Sequence, residues 1–192
     1  MPSFSRGLAE LAPILQRNPR DIDDYAANPF GVLVYDPKDE FALRSSLDAL
    51  AKRLQDQRSV RIVSFADLLV DVLDEQIEHE RSSYDALYEL ETFDGFTEFA
   101  SKLTTILDTQ HHLDDKIAAA AEGLDETRDV LFLVRAGILF PFYHVSPVLE
   151  RLGQRTRVPT VLCYPGGREG VTGLRFLNVQ DALRGYRQRI FG

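Results

Sequence analysis

Cysteine is nearly missing from this chain. The one thiol, Cys163, cannot close an internal disulfide and has no second sulfur with which to build a zinc-thiolate cluster, which points to a reducing, cytoplasmic setting. Long apolar runs are missing too. Nothing approaches the about 20 residues that cross a bilayer, and the opening segment MPSFSRGLAELAPILQRNPRD is broken by Arg6, Glu10 and Pro13, so neither a membrane span nor a signal peptide is expected. Internal repeats, low-complexity tracts and Gly/Ser linkers are absent, which makes residues 1–192 a single domain. No GxxxxGK[ST] phosphate loop, GxGxxG fingerprint or GxSxG elbow occurs, so no catalytic residue, metal or cofactor is expected and the chain reads as a non-enzymatic interaction subunit.

What is present is enough apolar residue to bury a core, 44% against 27% charged, and an uneven distribution of charge. The formal net charge of -8 divides at Arg135: Met1 to Val134 holds 13 basic and 27 acidic residues, whereas Arg135 to Gly192 holds nine arginines, no lysine and three acids. Between Ala66 and Ala100 eleven acids face the single Arg81. Such a stretch repels phosphate backbones and attracts basic protein surfaces, although a solvated helix face has the same composition.

Four short apolar runs have the make-up of buried strands: Gly31 to Tyr35, Val60 to Val63, Val130 to Val134, and Pro159 to Cys163. Most lack polar alternation, as strands covered on both faces do. Leu43, Leu47, Leu50 and Leu54 recur at helical spacing after the first run, and Leu69, Val72, Leu73 and Ile77 after the second. The expected fold is therefore α/β, a mainly parallel Rossmann-like sheet of about five strands flanked by helices, with the first and second runs as a parallel pair. Residues 66–128 keep helical periods (Tyr84, Leu87, Leu90, Phe96, Phe99, Leu103, Ile106, Leu107) and form a helical excursion, broken near Asp94-Gly95 and Asp125-Glu126. A short helix from Pro147 to Leu152 stops at Gly153. Leu174 to Leu177 returns as an antiparallel edge strand, and Asn178 caps a last helix ending near Arg189.

In an open parallel sheet, ligands settle beyond the carboxyl ends of the strands, which directs attention to Asp36, Ser64, Arg135 and the segment Tyr164 to Gly170. Asp36, followed by Pro37, Asp39 and Glu40, has the pattern of a helix cap, and so has Ser64 with Asp67. Gly166, Gly167, Gly170 and Gly173 with Arg168 offer backbone amides and a cation to an anion, but match no known phosphate loop and read more simply as a strand-reversing turn. His111 and His112 with Asp108, Asp114 and Asp115 have metal-ligand chemistry but the wrong geometry on a helix. Cys163 at a strand end reads as an inert buried hydrophobe, although His144 could approach it in space. The arginines Arg151, Arg155, Arg157, Arg184, Arg187 and Arg189 suit carboxylates as well as phosphates. The ligand or partner contacts that remain are Arg135, His144, Tyr164, Gly166, Gly167, Arg168, Arg184 and Arg187.

The run Leu133-Val134-Arg135-Ala136-Gly137, Phe140-Pro141-Phe142, Val148 to Leu152, Val158-Pro159-Thr160-Val161-Leu162, Tyr164-Pro165-Gly166 and Leu174-Arg175-Phe176-Leu177, with Val34-Tyr35-Asp36-Pro37 before it, resembles the BrxB family of bacteriophage exclusion (BREX) systems. The likeness spans about Val32 to Leu177 and rests least on the acidic middle. It departs at His144, where an arginine is common in the family pattern. The resemblance implies an accessory or adaptor subunit of cytoplasmic antiphage defence that binds a PglZ-like protein, with a BrxC-like ATPase and a PglX-like methyltransferase as further partners and nucleic acid reached only indirectly. It implies no catalytic residue. Two other readings stay open on the residues: a degenerate nucleotide-binding or phosphodiester-cleaving domain, and a subunit that contacts DNA through its C-terminal arginines.

Overall fold

The computed structural model of the chain describes residues 1–23, 29–109, 112–145, 147–170, 173–179 and 188–192. Elements follow in the order α1 (Ser5–Arg17), β1 (Phe30–Tyr35), α2 (Glu40–Leu54), β2 (Val60–Ser64), α3 (Phe65–Glu80), α4 (Tyr84–Glu89), α5 (Phe96–Thr109), α6 (His112–Ala121), β3 (Val130–Val134), α7 (Val148–Leu152), β4 (Thr160–Glu169), β5 (Gly173–Phe176) and β6 (Arg189–Phe191). A π-helical turn, Leu90–Asp94, joins α4 to α5.

The sheet runs β2-β3-β4-β1-β6, all parallel, with β5 antiparallel to the far end of β4. Successive residues of β3 serve opposite faces. Val130, Phe132 and Val134 pack with Leu33, Val161 and Cys163 under α1 and α2, whose Leu11, Leu15, Leu43, Leu47, Leu50 and Leu54 are buried. Leu131 and Leu133 pack with Val32, Val34 and Leu162 under α3, α5, α6 and α7, through Leu68, Val72, Leu103, Leu107, Ile117, Leu149 and Leu152. Each of these leucines contributes about 1.5–3 kcal/mol on burial, and helices on both faces explain why the central strands carry no polar alternation. β2, at the edge, is only half-buried along its length.

The α/β class, the four parallel runs, the antiparallel β5 and the helical excursion agree with the sequence reading. Five features depart from it. The sheet has six strands, because Arg189–Phe191, expected at the end of a helix capped by Asn178, lies parallel to β1 and covers its outer edge. Leu177 and Asn178 take left-handed φ angles of 51° and 62° in a turn, and residues 180–187, where the rest of that helix was expected, lie outside the described residues. β1 and β2 run parallel but are not neighbours, since β4 and β3 stand between them, whereas β3-α7-β4 does pair its own strands. β4 does not end at Cys163: it continues to Glu169 because β5 returns alongside and bonds its backbone. Finally, α1 was not read from the sequence, as Pro13 obscured it; the helix accommodates Pro13 and lies so close to β6 that a Cβ on Gly7 would stand 2.7 Å from Gly192 N.

Candidate functional site

At the carboxyl end of the sheet the chain leaves β1 and β3, the two strands that flank β4, in opposite directions. After β1 it turns to the α1/α2 face, and after β3 it turns to the face of α3 and α7, so a crevice opens between them. Asp36 and Ser64 close the helices here as their sequence pattern predicts. Asp36 Oδ1 accepts from Lys38 N at 3.1 Å and caps the short turn Pro37–Asp39 that leads into α2; Ser64 Oγ accepts from Ala66 N and Asp67 N at 3.2 and 3.4 Å. The ammonium of Lys38, 2.9 Å from Asp36, and its backbone N–H hold the Asp36 carboxyl below the ordinary carboxylate range.

Arg135 occupies the centre of the crevice. It follows β3 with a left-handed φ of 62° and ψ of 32°, which sends the backbone into the 3-10 turn Ala136–Leu139. Two hollows meet at its half-buried side chain. The larger, of about 430 Å³, lies between α2 and the ends of β2 and β3, with Phe41, Arg44, Asp48, Ser64 and Asp67 in its walls. The smaller, of about 240 Å³, has Pro37, Glu40, Gly137, Pro165 and Leu177 around it. Among the described residues nothing makes a hydrogen bond or ion pair with the Arg135 guanidinium. Arg44, its neighbour on α2, stacks over the Phe41 ring at 5.0 Å. Arg44 Nε and Glu40 Oε1 are 4.0 Å apart, both buried and both without a hydrogen-bond partner, while the other Glu40 oxygen accepts from the Tyr35 hydroxyl.

The other candidate residues are not gathered around Arg135. Tyr164 is fully buried, its ring edge-on to Phe176 at 5.2 Å, and belongs to the core. Gly166 and Gly167 are strand positions paired with Phe176 and Arg175, not a phosphate-cradling loop. The exposed Arg168 donates to the Gly192 carbonyl at 2.8 Å. His144 is exposed in the link before α7. Arg184, Arg187 and His111 lie outside the described residues. Of the remaining arginines, Arg151 binds the buried Asp114 and the Tyr143 hydroxyl, Arg155 pairs with Asp115, and Arg189 stacks on Phe191. Asp114 and Asp115 are thus engaged by arginines, and no group of three or more His, Cys, Asp or Glu side chains suited to a metal is found among the described residues. Cys163 is buried in the core, and burial, reinforced by Glu40, pushes its thiol above the ordinary value.

A second feature is the lobe built by α3, α4 and α5. Tyr84, Tyr88, Phe93 and Phe96 are 48%, 66%, 80% and 53% exposed, set among Asp85, Glu89, Glu91, Asp94 and Glu98. Of the eleven acids in this stretch, Glu75 pairs with Lys116 and Glu80 with Lys102, and no other makes an ion pair among the described residues. Sequence reasoning found the acid but missed Tyr88 and Phe93, whose signal was an aromatic ring placed off the apolar stripe. It also missed Phe41, Arg44 and Asp48, because only the leucine stripe of α2 drew notice.

The sequence model of the family described as BREX protein BrxB matches residues 62–190, which takes in the later part of β2, the acidic lobe, Arg135 and the C-terminal third as far as Ile190. The likeness read from sequence began earlier and gave the lobe little weight; the match excludes β1 and α2 and includes the lobe. No curated protein and no solved structure matches the chain.

Proposed function

The chain belongs to the BrxB family of BREX proteins, and from that premise we propose that this antiphage component acts in the cytoplasm as a non-enzymatic adaptor, docking a PglZ-like protein on the acidic, aromatic lobe of α3, α4 and α5. The observation that carries the reading is the joint exposure of Tyr88, Phe93 and Phe96 amid carboxylates that have no cation of their own. Clustered exposed apolar rings mark protein contact surfaces, and aromatic side chains supply most of the energy where they are covered. Carboxylates around such rings select a basic partner surface and speed encounter with it. A BrxC-like ATPase and a PglX-like methyltransferase are further partners in the same scheme.

Co-purification of the coexpressed system tests this. Replacing Tyr88 and Phe93 by alanine removes exposed rings without opening the core, and is expected to lower retention of the PglZ-like protein at least tenfold. Reversing Glu89 and Glu91 to lysine is expected to weaken it further and to abolish its salt dependence, which for exposed charges acts over a Debye length of about 8 Å at physiological ionic strength. Undiminished retention by both variants would overturn the assignment of the lobe.

A further inference from the structure

An arginine in the left-handed region is strained, since that backbone suits Gly, Asn and Asp. Arg135 holds that backbone with no side-chain hydrogen bond or ion pair among the described residues to offset the strain. It stands instead at the mouth where the chain parts to the two faces of a parallel sheet, the place where open α/β folds take small ligands. A planar guanidinium with its donors unused recognises carboxylate or phosphate in a forked manner.

The walls narrow the choice. The larger hollow, about 430 Å³, falls in the range of small-molecule sites, roughly 300–1,000 Å³. Its charges balance, with Arg44 and Arg135 against Asp48 and Asp67, so the two arginines can serve one phosphoryl group and no cation is left over for a second. The two carboxylates are acceptors that suit hydroxyl or amino donors, and the Phe41 ring, 75% exposed, offers a flat apolar surface. We infer that the crevice binds a singly phosphorylated, hydroxyl-rich small molecule of nucleoside monophosphate size, with its phosphate on Arg135 and its donors toward Asp48 and Asp67. Ligand binding at Arg135 and partner docking on the lobe stand or fall separately.

The test uses the full chain, with AMP, GMP, ribose 5-phosphate, ATP and inorganic phosphate as probes, followed by melting and by titration calorimetry. A monophosphate probe is expected to raise Tm by a few degrees and to bind at least tenfold tighter than inorganic phosphate, with ATP no tighter than AMP. Arg135→Asn separates function from folding, because Asn tolerates the left-handed backbone: the variant is expected to melt no lower than the parent while its affinity falls at least tenfold. Arg157→Ala, an exposed arginine outside the crevice, is expected to leave binding unchanged. Absence of a shift with every probe, equal binding by Arg135→Asn, or inorganic phosphate binding as tightly as the monophosphates would each overturn the assignment. Loss of the PglZ-like partner from Arg135→Asn with no small-molecule binding to the parent would assign the arginine to a protein carboxylate and overturn it as well.

Discussion

Asp129, only 3% exposed, is held by N–H donors from its own turn and from the residue just before β2: Ser59 N at 2.8 Å and Asp125 N at 3.0 Å, with Arg128 Nε at 3.2 Å. Burial alone would raise its pKa, but these donors together outweigh burial and lower it. A carboxyl depressed in the folded state stabilises above its unfolded pKa of about 3.9, and that stability is lost as pH falls through the folded value. The urea midpoint is therefore expected to drop as pH is taken below about 4, and Asp129→Asn is expected to flatten that drop while costing about 1–3 kcal/mol at neutral pH. At Gly166, φ is 149° and an added Cβ would stand 2.0 Å from the Arg175 carbonyl oxygen, so Gly166→Ala must separate β4 from β5. A loss of about 2–4 kcal/mol in denaturant unfolding is expected. Cys163 is expected to resist a thiol reagent in the native protein and to react fully in denaturant. At this scale the sequence was informative where the cause is local. The caps at Asp36 and Ser64 need nothing beyond the next three residues, whereas the isolation of Arg135 depends on what three separate strands bring to the crevice, and no spacing announces it.

Among the elements, α4 and the π-helical turn have no buried residue, while α3 is anchored by Phe65, Leu68 and Val72. Elements with so few covered contacts open first. Amide exchange is expected to be fastest from Arg81 to Asp94, and trypsin is expected to cut first after Arg81, the exposed left-handed residue that ends α3. The strands were legible because burial on both faces leaves a continuous apolar run; β3 was read to the residue. Their neighbours were not, since hydrophobicity records that a strand is covered and not which strand lies beside it. β6 escaped notice for the related reason that three residues, Arg189 to Phe191, are too few to show a period.

For the molecule as a whole, the division of charge seen in the sequence has unequal structural outcomes. The arginine-bearing third spends much of its charge internally, through Arg151 on Asp114, Arg155 on Asp115 and Arg175 on Glu169, while most acids of the lobe make no ion pair among the described residues. Asp114 is almost wholly buried, so Arg151→Ala takes the cation away from a buried carboxylate and is expected to cost about 3–5 kcal/mol in urea unfolding, where Arg157→Ala costs almost nothing. Linear counting could give the sums, but only the fold decides which charges neutralise one another.

β1 takes both its neighbours from the last third of the chain, Thr160 to Pro165 on one side and Arg189 to Phe191 on the other. During synthesis the ribbon FGVLVY therefore emerges from the ribosome long before anything can flank it, and must wait, bare on both edges, for the final stretch to be translated. Fragments stopped short of Thr160 are expected to stick to one another through that ribbon and to bind hydrophobic dyes, and the nascent protein to depend on chaperones until its last strand is released.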